Sequence, residues 1–242
     1  MNTRIITHYA QTLTQQLLDI VFPPQCAGCK CSGYVLCPDC ITRIQPLPPP
    51  LCQHCSATLS PDGACKNCYY HRLSLSGLRA VGAFQEPLRG CIHALKYKGN
   101  SRLAQPLGHL LARAYVSYTM QADMIIPVPL HSEREHQRGY NHAYLLAQVC
   151  SSALGIPLRA DLMIRRRATL AQVDLHPRER RQNVAGAFVC TPTFAAGTLF
   201  NHTILIVDDV CTTGATLEAC AAPLFAAGAR AVWGLVLARP VP

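Results

Sequence analysis

Four apolar residues, Ile204 to Val207, follow one another without a polar break, and two carboxylates, Asp208 and Asp209, come directly after them. An unbroken apolar run of this length predicts a strand buried on both faces, as in a parallel sheet. The same reading places strands at 78–85, 124–129, 162–166 and 231–238. Apolar positions at helical spacing predict helices at 87–97, 102–118, 142–153 and 215–227. Strands alternating with helices predict an α/β domain with a mostly parallel sheet. Two stretches ahead of it read differently. In residues 4–22, Ile6, Tyr9, Leu13, Leu17 and Ile20 recur at helical spacing until Phe22-Pro23-Pro24 stops the helix, which either docks on the core or binds a partner. Residues 26–70 follow neither period, and Pro46, Pro48, Pro49 and Pro50 split them into two similar halves. The expected units are therefore an amphipathic helix (1–24), a small loop-rich domain (25–72) and the α/β domain (76–242).

Composition changes this picture at two points. Half of the 242 residues are hydrophobic and 14% are charged, which excludes a disordered chain. The N-terminus lacks the apolar core of an export signal, and no run approaches a membrane span, so a reducing, cytoplasmic setting is expected. In that setting the 14 cysteines point to metal rather than disulfides. Nine of them lie between Cys26 and Cys68. Cys26, Cys29, Cys37 and Cys40 form one set of paired Cys-x-x-Cys knuckles, and Cys52, Cys55, Cys65 and Cys68 form the second. Two such knuckles complete a tetrahedral zinc shell with no open position, so two structural Zn2+ ions are expected. A redox dithiol comes singly beside a βαβ unit and fits less well. Cys31 belongs to no pair and is read as a bystander. Pairing in sequence order is expected, with a crossed arrangement as the other possibility. So short a segment has little core of its own, and the metal supplies its folding energy.

A zinc ion with four thiolates carries −2, so two such sites bring the formal charge of +9 nearer to +5. The remaining positive charge belongs to the α/β domain. It suits a polyanionic small substrate or a nucleic acid, and composition does not separate them.

The densest chemistry lies at the carboxyl end of the strand that ends in Asp208 and Asp209. Open α/β sheets bind ligands at that edge. The carboxylates can accept hydrogen bonds from vicinal sugar hydroxyls or face a metal. Cys211, Thr212, Thr213, Gly214, Ala215 and Thr216 make a small-residue turn into a helix, whose N–H groups suit a phosphate. The ligand this combination describes is a ribose 5-phosphate. The stretch resembles the phosphoribosyl-diphosphate (PRPP) loop of type I phosphoribosyltransferases. The resemblance implies that fold, a Mg2+-dependent PRPP site, and ribose and phosphate contacts by these residues.

The anion-binding half is less marked. The loop after the strand at 124–129 carries His131, Arg134 and Arg138 ahead of Gly139 and a helix capped by Asn141. It resembles the diphosphate loop of the same fold, and an exposed charged loop would have a similar composition. Lys96 either reaches a phosphate or serves as a favourable cation at a helix end. The polar stretch with Gln172, Arg178, Arg180, Arg181 and Asn183 is either a mobile lid, closing with residues 167–182 over the substrate, or a solvated face. Tyr69 and Tyr70 cover a knuckle or stack on bases.

Taken together, the cysteine ribbons, Ala94-Leu95-Lys96-Tyr97-Lys98-Gly99, Pro127-Val128-Pro129-Leu130, Arg138-Gly139-Tyr140-Asn141, Arg180-x-x-Asn183 and Val207-Asp208-Asp209 resemble the ComF family over about residues 20–240. His142 departs from the glutamine expected there. The resemblance implies a phosphoribosyltransferase-like protein of DNA uptake or DNA utilisation. Its partners would be PRPP and, beyond it, single-stranded DNA, a DNA-uptake helicase or another competence protein. Asp208, Asp209 and Arg138 would carry any transfer chemistry. A nucleotide-salvage phosphoribosyltransferase, and a zinc-ribbon single-strand adaptor with an inert PRPP site, are the alternatives.

Overall fold

The computed structural model describes residues 22–168, 176–192 and 199–241. The helix expected at 4–22 and the position of Gln172 fall outside them. The described elements are α1 (Pro38–Thr42), α2 (Lys66–Tyr70), β1 (Gly77–Ala83), α3 (Leu88–Tyr97), α4 (Ala104–Ser117), β2 (Met124–Pro127), α5 (Ser132–Arg138), α6 (His142–Leu154), β3 (Met163–Arg165), α7 (Pro177–Val184), β4 (Phe188–Cys190), β5 (Thr203–Val210), α8 (Ala215–Ala226) and β6 (Ala231–Arg239).

The main sheet has the order β1-β6-β5-β2, and every pairing is parallel. β5 and β6 are its central strands, and both read as apolar runs because both faces are covered. On β5, Ile204 and Ile206 join Val232, Val236, Leu217 and Leu224 on the α8 side. Leu205 and Val207 join Leu235, Ile125, Leu107 and Leu146 on the side of α3, α4 and α6. Burying each such side chain contributes about 1.5–3 kcal/mol. This is an α/β fold with a parallel sheet and helices on both faces, preceded by two cysteine-rich ribbons.

The ribbons lie along β1, which would otherwise be an open edge strand with unpaired backbone groups. The Leu78 N–H donates to the His54 carbonyl at 2.8 Å, and the Ala83 N–H donates to the Gln45 carbonyl at 2.8 Å. Ser56 Oγ donates to the Leu78 carbonyl at 2.6 Å, and Arg79 Nη1 to the Gln53 carbonyl at 2.8 Å. Gly82 permits this approach, since a Cβ there would lie 2.5 Å from the Gln45 carbonyl oxygen. The opposite edge, β2, is partly covered by the chain after α6, where the Ile125 N–H donates to the Pro157 carbonyl at 2.8 Å.

Three segments differ from the sequence expectation. The strand expected at 162–166 stays out of the parallel sheet, because β3 pairs antiparallel with β4 as a separate two-stranded ribbon. The loop after β2 contains a helix, α5, none of whose residues is buried. It rests on its caps: the His131 side chain accepts from the Glu133 N–H, and Gly139 closes the helix at φ 84°. Part of the polar stretch before β4 is also helical, as α7, opened by Pro177 and by Glu179 accepting from the His176 N–H at 2.7 Å.

Candidate functional site at the carboxyl edge of the sheet

Residues 208 and 209 continue the alternation of β5. Asp208 therefore extends the face of Ile204 and Ile206, and Asp209 the face of Leu205 and Val207. Their carboxylates are held close to the backbone: Asp208 Oδ1 accepts from the Asp209 N–H at 2.9 Å, and Asp209 Oδ1 from the Val210 N–H at 2.7 Å. Asp209, 2% exposed, meets cations from two helices. Lys96 Nζ, in the last turn of α3, lies 2.6 Å from Asp209 Oδ2. His142 Nε2, at the start of α6, lies 3.6 Å from the same oxygen and 3.7 Å from Asp208 Oδ1.

Burial works against the charge on Asp209, but Lys96 and His142 prevail and bring its pKa down to about 2. Burial likewise works to lower the Lys96 pKa, and the two aspartates outweigh it and raise it. Arg138 reaches this cluster through His142, its Nη1 2.7 Å from Nδ1, while its guanidinium lies 5.4 Å from the centre of the Tyr97 ring. Tyr140 Oη donates to the Leu95 carbonyl and ties α3 to the chain between α5 and α6.

The turn after β5 is shaped by Gly214, the residue before α8, at φ 82°. A Cβ there would meet Leu73 Cδ1 at 2.7 Å. Thr213 Oγ1 accepts from the Ala215 N–H at 3.3 Å, and Arg180 Nη1 of α7 donates to Thr212 Oγ1 at 2.7 Å. Cys211 is buried, which pushes its thiol up to about 11 and makes it a packing residue at neutral pH. A cleft of about 1040 Å³ opens between this turn, α3 and the first ribbon; Lys30, Phe84, His93, Tyr97, Lys96 and Arg180 line it.

The structure thus gathers Lys96, Arg138, Arg180, Asp208, Asp209 and residues 211–216 around one edge. His131 and Arg134 stand apart: His131 caps α5, and Arg134 lies near Arg165, whose pKa is lowered mainly by burial and then by that neighbour. Two residues carry little sequence signal: His142 is marked only as a departure from the family pattern, and Arg239 lies one residue past the strand expected at 231–238. Arg239 is 4% exposed; its guanidinium donates through Nη1 to the Cys55 carbonyl and through Nη2 to the Thr212 carbonyl at 3.4 Å. It therefore links the second ribbon to the turn.

Each ribbon gathers its own sulfurs, so the knuckles pair in sequence order. In the second, Sγ of Cys52, Cys55, Cys65 and Cys68 lie within 4.8 Å of one another, with Cys52–Cys68 at 3.7 Å and Cys55–Cys65 at 3.6 Å. A tetrahedral zinc ion with Zn–S of about 2.3 Å needs sulfurs about 3.8 Å apart, so the geometry fits. The first ribbon corrects one expectation. Cys31 is no bystander: its Sγ lies within 4.8 Å of those of Cys26, Cys29 and Cys37. Cys40, fully buried, also places its thiol against Cys37, Cys29 and Cys26, so five sulfurs share this site. The Cys37 N–H donates to Cys26 Sγ at 3.3 Å and the Cys40 N–H to Cys37 Sγ at 3.4 Å. Burial opposes thiolate formation at Cys26, yet such N–H donors bring its pKa down to about 6.

Residues 17–69 match the double zinc ribbon domain family. The chain is 32% identical over 226 residues to Competence protein F of Haemophilus influenzae, covering 88% of this chain and 97% of that protein. It is 33% identical over 196 residues to the DNA utilization protein YhgH of Salmonella typhimurium, covering 78% and 84%. Competence protein ComFC of Bacillus subtilis is 22% identical over 203 residues, covering 81% and 80%. Among solved structures, the glutamine PRPP amidotransferase of B. subtilis complexed with ADP and GMP aligns at a TM-score of 0.40, with 18% identity over 60% of this chain and 30% of that one. Among the described residues no helix is long and apolar enough to cross a membrane.

Proposed function

The chain belongs to the ComF family of competence and DNA-utilisation proteins, and from that premise we propose that it binds PRPP with Mg2+ at the carboxyl edge of β5 in the service of DNA uptake or utilisation. The observation that carries this reading is the pair Asp208 and Asp209 standing directly before a turn with Gly214 in the left-handed region. The carboxylates take the ribose 2- and 3-hydroxyls. The N–H groups of residues 212–216 and the start of α8 take the 5-phosphate. Lys96 offsets one of the two negative charges of the acid pair in the free protein, and Arg138, Lys96 and Arg180 supply positive charge for the diphosphate.

The residues suit Mg2+ that arrives on PRPP. Asp208, Asp209 and His142 offer ligand atoms within 4.8 Å of one another, but Lys96 already occupies one oxygen of Asp209. The metal would neutralise diphosphate charge. In a transfer reaction the C1–O bond to diphosphate would break, an acceptor nitrogen would bond to C1, and the proton of that nitrogen would pass to water. Asp208 and Asp209 orient the ribose, Arg138 and the loop N–H groups stabilise the departing oxyanion, and the cleft beside Phe84 and Tyr97 receives the acceptor.

The test is a calorimetric titration of the zinc-loaded protein with PRPP and Mg2+, followed by an assay of diphosphate release with and without nucleobases. Mg2+-dependent binding supports the site. Release with one defined base makes it a salvage-type transferase. Salt-sensitive single-strand binding with no PRPP binding leaves the zinc-ribbon adaptor and sinks the proposal.

A further inference from the structure

Behind the Thr212–Thr213 turn, on the side facing the second ribbon, lies another cavity, of about 450 Å³. Arg181, Arg239, Asn67, Tyr70, His71 and Thr213 are among its lining residues. Two features set it apart from a packing defect. The Nε atoms of both Arg181 and Arg239 are buried without a hydrogen-bond partner. Neither guanidinium has a carboxylate partner among the described residues, whereas the carboxylate of Glu218 on this side is engaged by His71 at 2.7 Å and by Ser74 Oγ at 3.2 Å. Arg239 has its Nη atoms on the Cys55 and Thr212 carbonyls and so brings charge rather than a free edge, while Arg181 lines the same cavity, and two cations without a carboxylate on one cavity describe an anion site.

The cavity is also distinct from the cradle assigned to the ribose 5-phosphate. Arg239 Nη2 donates to the carbonyl of Thr212, so it approaches the turn from its acceptor side. A phosphate on the N–H side occupies the opposite face. Helix α7 straddles the turn: Arg180 reaches Thr212 Oγ1 and lines the large cleft, while the next residue, Arg181, lines the rear cavity.

We propose that this rear cavity binds a nucleoside phosphate. The Arg181 guanidinium can meet phosphoryl oxygens, Arg239 adds positive charge behind it, and the Thr213 hydroxyl and Asn67 amide add donors. The volume exceeds the needs of a lone phosphate. Tyr70, 83% exposed and edge-on to Tyr69 with ring centres 5.3 Å apart, offers a face for a base. The ligand is either a free mononucleotide or the phosphorylated end of a strand, which present the same chemistry.

The inference adds a site to the PRPP reading and is tested separately from it. Full-length zinc-loaded protein is titrated calorimetrically with AMP, and with a 5′-phosphorylated oligo-dT, with and without saturating PRPP and Mg2+. The expected result is that AMP binds in the presence of PRPP. Arg181→Gln, on a helix surface, weakens AMP about tenfold or more while PRPP affinity stays within about twofold. Arg181→Lys, which keeps the charge and loses the fork, weakens AMP less than Arg181→Gln does. Competition between AMP and the oligonucleotide assigns both to one site, and oligonucleotide binding without AMP binding, if Arg181→Gln removes it, assigns the site to strand ends. Equal AMP affinity in wild type and Arg181→Gln, displacement of AMP by PRPP, or binding of neither ligand overturns the proposal. If PRPP itself gives no heat, the PRPP reading fails, and the comparison of AMP binding between wild type and Arg181→Gln still decides this one.

Discussion

Lys96 and Asp209 form an ion pair within the site, Nζ to Oδ2 at 2.6 Å, between the last turn of a helix and the last turn of register in a central strand. The Asp209 pKa of about 2, against an ordinary 3.8, makes the folded state depend on that carboxylate being ionised. The group's folded pKa is depressed, so its contribution is complete above about pH 4 and is lost as pH falls through about 2. The contribution is on the order of 2 kcal/mol. Urea unfolding measured between pH 5 and 2 should steepen in wild type and flatten in Asp209→Asn; identical slopes would show that the pair carries no linkage. Lys96→Met, which strands the buried acid, should cost about 3 kcal/mol.

The two aspartates should be indispensable for ligand, while their loss should lower stability without changing the fold. Asp208→Asn combined with Asp209→Asn removes the acceptors of the ribose hydroxyls but keeps their shape. PRPP binding should disappear from the calorimeter while the circular dichroism spectrum stays native. Unchanged affinity would remove the ribose assignment.

Gly214 holds a conformation in which a side chain is strained, and Leu73 stands where that side chain would go. Gly214→Ala should lower stability by about 1–3 kcal/mol and abolish PRPP binding. Adding Leu73→Ala relieves the collision and leaves the backbone strain. The double variant should therefore bind PRPP no better than Gly214→Ala, and full recovery would show that crowding alone was at fault.

Five sulfurs around the first ribbon make its ligand set redundant. Cys31→Ser and Cys40→Ser should each keep two zinc ions per chain by atomic absorption, and the combined variant should keep one. Loss of a metal from either single variant would mean that four specific thiolates are required.

Removing zinc should unravel the ribbons before the sheet. With a strong chelator, hydrogen exchange should accelerate first across residues 26–68. Leu78 and Ala83, whose N–H groups rest on ribbon carbonyls, should follow. The centre of β5 should respond last. Uniform protection throughout would argue against a structural metal.

The parallel sheet was legible because Ile204 to Val207 and the apolar run of β6 can only be strands covered on both faces. The ribbons were legible from the spacing of their thiols. Other features left weaker marks or none. Helix α5 has no buried residue, so no periodicity announces it. The strands β3 and β4 are three residues each, too short to show alternation. Cys31 joins its neighbours through a backbone turn that spacing rules do not describe. Lys96 could be read as a cation near an anion site, but its partnership with Asp209 depends on the approach of α3 to β5, which is tertiary. The carbonyls of His54 and Gln45 that complete β1 belong to the main chain, where residue type carries no signal.

That seam between ribbon and sheet has a consequence for how the polypeptide behaves when metal is scarce. A cell starved of zinc would hold a protein whose first strand presents bare amides and carbonyls along a flank, the kind of surface on which a second copy can add and a filament or clump can start. Metal supply in the growth medium would then govern how much of the protein stays dispersed, before any question of catalysis arises.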